Sequence, residues 1–270
     1  MFRFISFGSG SCGNCYYIFV NGCGIMIDAG IGIRKIKKYF SEYGFSFSDL
    51  KCIFITHDHA DHVKSVGVLS NTYNIPVFAT RRVHEGIRRN YRVNKKIDNS
   101  NINVISAGEN VSLFDGISLC PFHVPHDSLD NVGYKINIGS VTFCLMTDIG
   151  EVTEEMARVI GDADYLTIEA NYDKEMLWAG NYPMYLKQRV SGGFGHLSNE
   201  LCAQAITTYS TDKLRHVWLC HLSAENNHPE LARKTVETML QSSDSAHLKT
   251  LPVDVLKRGV PSNIYELEDY

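Results

Sequence analysis

The sequence predicts an α+β sandwich, two β-sheets with helices on their outer faces, formed as a single domain over residues 1–270. Three observations lead there. Strand-like apolar runs dominate the first half, and strand-like and helix-like segments alternate through the second. No repeat, low-complexity tract or Pro/Ser-rich linker separates the two halves. Runs this apolar need cover on both faces, which sheets clad by helices supply.

In chain order, "FRFISF", "CYYIFV", "GIMID", "CIFIT", "PVFA", "SLCPF", "GYKINIG" and "VTFCLM" read as strands. Gly, Asn and Asp turns such as "VNGCG" break them, and "INIGSV" reads as a hairpin. Helical periodicity fits "GIRKIKKYFSEYG", "DHVKSVGVLSNTY", "TEEMARVI", "NELCAQAITTYS" and "PELARKTVETML". Gly44 closes the first of these, Thr153 and Ser198 cap the third and fourth, and Pro229 opens the fifth at its first helical position. Between them lie the strand "DYLTIEA", a polar-aromatic helical stretch from 173 to 190, a Gly-rich loop and the strand "HVWLC".

At 270 residues, 44% hydrophobic and 21% charged, the chain has the composition of a globular protein with a sizeable core. No apolar stretch approaches a membrane span, and the N-terminus lacks the basic flank and long apolar core of a secretory signal. No membrane partner and a cytoplasmic location are the expectations. Of eight cysteines, Cys52, Cys120, Cys144 and Cys220 fall inside strand-like runs, where a free thiol behaves as a small hydrophobe. Cys12 and Cys15 form a C-x-x-C, but a zinc ribbon needs a second pair, and a Gly-rich turn is the simpler reading.

The net charge of −4 argues against wholesale nucleic-acid binding, yet it is uneven. Residues 81–96, "RRVHEGIRRNYRVNKK", hold seven basic residues and one acidic one, net +6, which leaves −10 for the remainder. One reading is a solvated helix with Val83, Ile87 and Tyr91 as its apolar stripe. The other is a local patch for a polyanionic substrate.

The stretch "ITHDHADHVKSV" crowds His57, His59, Asp61 and His62 into six positions behind the buried-type strand "KCIFIT". One such histidine is an ordinary loop residue and one aspartate a helix cap. Four together need a shared cation to offset their desolvation, and imidazole with carboxylate suits zinc, iron or manganese.

The pattern T-H-x-H-x-D-H resembles the metallo-β-lactamase superfamily. The resemblance implies its αββα fold and further ligands at the ends of later strands. Asp28, ending "GIMIDAG", matches the aspartate that buttresses the metal loop; His126, Asp148 and His221 match the remaining ligands. His123 competes with His126, which lies in the loop and is followed by Asp127 as in related sequences. The implied arrangement gives one metal His57, His59 and His126, the other Asp61, His62 and His221, with Asp148 between them. Two divalent ions about 3.5–4 Å apart would clamp both oxygens of an in-line displacement.

"GGFGHLSNE" delivers His196 to a helix start, and "LTIEANYD" offers Glu169. Both resemble the phosphodiesterase branch, including RNase Z, where a histidine contacts the scissile phosphate and a glutamate orients it. His196, Glu169 and Asp61 are the catalytic residues so implied. "SFGSGSCGNCYYI", "EANYDKEML", "GNYPMYLKQRVSGGFGHLSNE" and "CHLSAENNHPELA" are similar to the YycJ/WalJ group of bacterial metallohydrolases, assigned as 5′–3′ exonucleases on DNA. That resemblance covers residues 2–241 and implies a nucleic-acid substrate, DNA before RNA.

Tyr172, Trp178, Tyr182 and Tyr185 interleave with Lys174, Lys187 and Arg189, which suits stacked bases and phosphates as well as it suits a core-facing stripe. Ser9, Ser11 and Asn14 on the first Gly-rich turn are further phosphate-binding candidates. Two other functions stay open at this stage. One is hydrolysis of small cyclic phosphodiesters or lactones; the other is a metal-bearing binding module without catalysis.

Overall fold

The computed structural model describes residues 1–269, which form two compact units. The first comprises residues 1–109, 128–131 and 257–269; the second comprises 110–127 and 132–256. Each has its own seven-stranded sheet and its own apolar core.

In the first unit, β1 (Phe2–Gly8), β2 (Cys15–Val20) and β3 (Cys23–Ile27) form an antiparallel meander. β4 (Leu50–Phe54), β5 (Val77–Thr80) and β6 (Ile102–Ile105) then add in parallel. The strand Tyr265–Leu267 pairs antiparallel with β1 at the opposite edge. The parallel strands need crossovers, and helices supply them: α1 (Ile33–Glu42), α2 (Ala60–Val63), α3 (Val66–Tyr73) and α4 (Arg81–Arg89). α1 buries Ile36, Tyr39 and Phe40 on one face and ends before Gly44, whose φ of +71° suits glycine. The predicted helix over "DHVKSVGVLSNTY" is two, divided around Ser65. α4 stops at Arg89 because Asn90 is extended (φ −68°, ψ 110°), so Tyr91 falls outside the stripe formed by Val83 and Ile87.

The second unit repeats this scheme in a sequence with no detectable repeat. β7 (Val111–Ser112), β8 (Ser118–His123), β9 (Val132–Ile138) and β10 (Val141–Met146) are antiparallel. β11 (Tyr165–Glu169), β12 (His216–Cys220) and β13 (Val253–Val255) follow in parallel. Ile138 pairs with Val141 across the predicted hairpin, turned by Gly139 at φ +60°. α5 (Glu154–Asp162) is capped by Thr153, which accepts from Met156 N. The 173–190 stretch is two helices, α6 (Lys174–Ala179) and α7 (Met184–Val190), parted by Gly180 and Pro183. α8 (Asn199–Tyr209) is capped by Ser198, and α9 (Pro229–Gln241) opens on its proline. Among the described residues, no helix is long and apolar enough to cross a membrane.

Candidate metal centre

The chemistry-bearing residues sit at the C-terminal ends of strands, where the backbone turns out of each sheet. In the first unit, Asp28 follows β3 and the loop 55–62 follows β4. Asp28 is fully buried and left-handed at φ +61°, a conformation Asp tolerates better than most residues. Its Oδ1 accepts from Thr56 N at 2.9 Å, and its Oδ2 accepts from Thr56 Oγ1 at 2.9 Å and from His62 Nδ1 at 2.7 Å. Burial pushes the Asp28 carboxyl above its ordinary range, against the pull of His62 and Thr56.

That network assigns the tautomers. With its hydroxyl proton given to Asp28, Thr56 Oγ1 accepts from His57 Nδ1 at 3.0 Å. His57 and His62 therefore both carry the lone pair on Nε2, the tautomer in which imidazole binds a metal, and at His62 that nitrogen accepts from Asn14 Nδ2 at 2.8 Å. The His57 ring lies 4.7 Å from that of His59 and 4.0 Å from that of His62, and Asp61 Oδ2 lies 3.7 Å from His62 Nε2. The loop passes so close to residue 30 that a Cβ there would stand 1.6 Å from Asp61 O, so glycine is required.

In the second unit, His126 follows β8, Asp148 follows β10, Glu169 ends β11 and His221 follows β12. Asp148 and His221 are again left-handed, at φ +56° and +53°. Strained backbone at three strand ends, each bearing a chemical residue, is the pattern of a functional site. His126 is buried and its Nδ1 donates to Gly195 O at 2.9 Å, which leaves Nε2 as the lone-pair nitrogen, 3.7 Å from Asp148 Oδ1. Burial lowers its pKa, keeping the ring neutral and fit for a metal. His123 is exposed at the end of β8.

Glu169 is the hub of this set, with no exposed surface. Its Oε2 accepts from Ile149 N at 2.7 Å and Leu197 N at 3.1 Å; its Oε1 accepts from His196 Nδ1 at 2.8 Å and His221 Nδ1 at 2.9 Å. Burial raises the Glu169 carboxyl, but charge and hydrogen bonds from His196 and His221 outweigh it and hold the group below its ordinary value. Burial also pulls His196 down, yet Glu169 and Asp148 more than compensate and its pKa is raised. Asp148, Glu169, His196 and His221 each offer an atom within 4.8 Å of the others. With both its oxygens committed to donors, Glu169 is a support for its neighbours.

Residues 24–221 match the family model described as a beta-lactamase superfamily domain. The chain belongs to the metallo-β-lactamase superfamily. It is 35% identical over 90% of both chains to a protein of Streptococcus pneumoniae serotype 2 named exodeoxyribonuclease WalJ. It is 33% identical to exodeoxyribonuclease YycJ of Bacillus anthracis, over 88% of this chain and 89% of that one. Membership of the YycJ/WalJ group, as the sequence resemblance implied, makes the chain a metal-dependent hydrolase. The zinc-bound PqqB of Methylobacterium extorquens shares the fold at a TM-score of 0.72 and 16% identity, over 97% of this chain and 99% of that chain. The superfamily's α+β sandwich is the fold class expected from the strand and helix pattern. The donor sets suit divalent metal, since buried imidazoles stand beside carboxylates in each unit.

Other sequence-level candidates divide. Tyr172 and Lys187 are buried, Lys187 donating to Trp178 O at 2.6 Å, whereas Trp178, Tyr185 and Arg189 are exposed. Tyr182, Arg189 and His196 line a cavity of about 170 Å³. Ser9 and Asn14 are spent internally, on Tyr16 OH at 2.9 Å and on Gly10 and His62; Ser11 alone of the three is exposed. Reading the sequence missed Thr56, which links Asp28 to two histidines, and Asn171, which donates to His221 O at 2.7 Å. Thr56 carries a signal after the fact: a hydroxyl directly before the first histidine of the motif.

Proposed function

We propose that the chain is a dinuclear metal-dependent phosphodiesterase, specifically an exonuclease that degrades DNA in the 5′-to-3′ direction. The two units would act as one catalytic domain. His57, His59, Asp61, His62, His126, Asp148 and His221 would hold two ions of zinc, manganese or iron. The names of the 33–35% identical relatives support the DNA substrate. The eight free thiols support a cytoplasmic site of action.

The observation that carries the reading is the 2.8 Å contact between His196 Nδ1 and Glu169 Oε1. Metal, when bound, supplies activation of water and neutralisation of phosphate charge. What this chain's own residues must still supply is a proton for the departing sugar oxygen, a poor leaving group as an alkoxide. Glu169 holds the His196 ring by Nδ1 and favours its protonated form, so Nε2–H is the proton donor. His196 is 22% exposed, which keeps it within reach of substrate. Asp61, 25% exposed, serves as a ligand and orients the attacking water.

Incubation of purified protein with Mn or Zn and end-labelled oligonucleotides tests the reading. Stepwise release of nucleotides from the 5′ end is the expected result. Cleavage of a cyclic phosphodiester or lactone without attack on DNA would replace it with the small-substrate reading, and no cleavage of any ester with that of a binding module.

A further inference from the structure

We infer that Tyr91 and Arg92 form a nucleotide-binding platform beside the metal loop: one base of a single DNA strand stacks on the Tyr91 ring, and the adjoining phosphate sits against Arg92 and Lys64. The inference rests on the nuclease reading above and deepens it, assigning substrate contacts that neither the superfamily motif nor the dyad provides.

Tyr91 is 82% exposed, more than any other large hydrophobic residue among those described. Such exposure is ordinary on a flexible tip, but this turn is anchored. Asn90 Nδ2 donates to Asp58 O at 2.8 Å, inside the metal loop, and Asn90 Oδ1 accepts from Arg92 N at 3.0 Å. Lys96 Nζ donates to Ile87 O at 3.1 Å and to Asn90 O at 2.5 Å, closing the segment from behind. α4 is seated directly on the loop, since a Cβ on Gly86 would stand 2.2 Å from Asp58 Oδ2. The turn that carries Tyr91 is thus tied to the metal loop, with the ring in solvent.

Two cavities share Tyr91, Arg92 and Ala60 as a common wall. One, of about 480 Å³, reaches Asp61 and is edged by Lys64 and Ser11; the other, of about 370 Å³, reaches His59. Arg92 Nε donates to Tyr91 OH at 3.2 Å, and its guanidinium carbon lies 5.7 Å from the ring centroid. An exposed aromatic ring neighboured by cations suits a single strand bound without regard to sequence, the base on the open side of the ring and the phosphate on the cations. The occupant is therefore a nucleotide unit next to the scissile phosphate, its backbone passing through the cavity that reaches Asp61.

The test is binding of a short single-stranded phosphorothioate oligonucleotide, and of its abasic counterpart, to metal-loaded protein by fluorescence anisotropy. Tyr91→Ala should weaken binding of the base-bearing strand about tenfold and leave the abasic strand's affinity within about twofold; Tyr91→Phe and Tyr91→Trp should retain the preference for bases. Arg92→Ala should weaken both strands alike and flatten the salt dependence. Tyr209→Ala, an exposed aromatic on α8, serves as the neutral control. Equal loss on both strands for Tyr91→Ala, or no loss on either, overturns the inference while the nuclease reading stands on cleavage of unmodified DNA. Failure of the unsubstituted protein to bind either strand overturns both.

Discussion

Glu169 Oε1 accepts from His196 Nδ1 at 2.8 Å and from His221 Nδ1 at 2.9 Å, so one buried oxygen orients two imidazoles of different expected roles. His221 is a proposed ligand, and His196 the proposed proton donor. Separating these roles is the first experimental task.

His196→Ala should lower kcat on DNA by about 10²–10⁴, the usual worth of general-acid assistance, with metal content unchanged by elemental analysis. The defect should shrink on a nitrophenyl phosphodiester, whose leaving group departs without a proton. Full activity on natural phosphodiesters would remove His196 from the mechanism.

Glu169→Gln should behave differently. The carboxylate accepts from Ile149 N, Leu197 N and both histidines, and an amide must turn its own donors toward one of those pairs. A donor set so stranded costs about 1–3 kcal/mol, and loss of a supporting partner typically weakens metal binding about 10–100-fold. Ile149 follows Asp148 directly, so the ligand turn loosens together with His221. Both kcat and metal affinity should fall, and a variant that loses rate alone would restrict Glu169 to His196.

The strands that the sequence made legible are the central ones. β6, β7, β13 and Tyr265–Leu267 escaped it, and they are the four edges of the two sheets. Edge strands are short and partly solvated: Ile102 and Val104 on β6 are 37% and 49% exposed, so the apolar signal fades where pairing is one-sided. The spacing of His57, His59, Asp61 and His62 needed no fold to be read as a metal site. Asp28, His126, Asp148, Glu169, His196 and His221 come from the ends of separate strands and loops, and only family resemblance gathered them in advance. Periodicity put Tyr91 on a buried stripe because it cannot detect that Asn90 leaves the helix.

Asp28 offers a test of how the metal loop is built. Removing its carboxylate strands the His62 Nδ1–H and the Thr56 donors in a site with no solvent, and its φ of +61° disfavours a β-carbon without a polar side chain. Asp28→Ala should cost about 3–5 kcal/mol by urea denaturation of chelator-treated protein, and Asp28→Asn, which keeps the shape and tolerates the backbone, about 1–3 kcal/mol. A neutral Asp28→Ala would mean the loop holds its form without the buttress.

Metal stoichiometry decides between one ion and two. Protein purified without chelator, or reconstituted with Mn or Zn, should carry two divalent ions per chain by elemental analysis. Asp148→Ala should reduce occupancy, whereas His123→Ala, at an exposed strand end, should not. A reproducible single ion would end the dinuclear mechanism, and the reverse ranking of the two variants would mean that His123 is the ligand.

The basic segment yields a prediction read from salt. Arg88 lines a cavity of about 490 Å³ with Arg81 and Lys96, and Arg89, 67% exposed, lies 3.9 Å from Glu85. An exposed pair at that distance contributes little to stability, so the Arg89 guanidinium is not committed to holding the fold. If both meet backbone phosphates, each displaces counterions from a single strand, and the slope of log affinity against log salt carries about 0.7 per contact. Replacing Arg88 and Arg89 with Ala should therefore weaken binding of long oligonucleotides and flatten that slope by about 1.4, with the circular dichroism spectrum unchanged. An unchanged slope would return these two arginines to the solvated face of α4 and leave phosphate binding to residues nearer the metal loop.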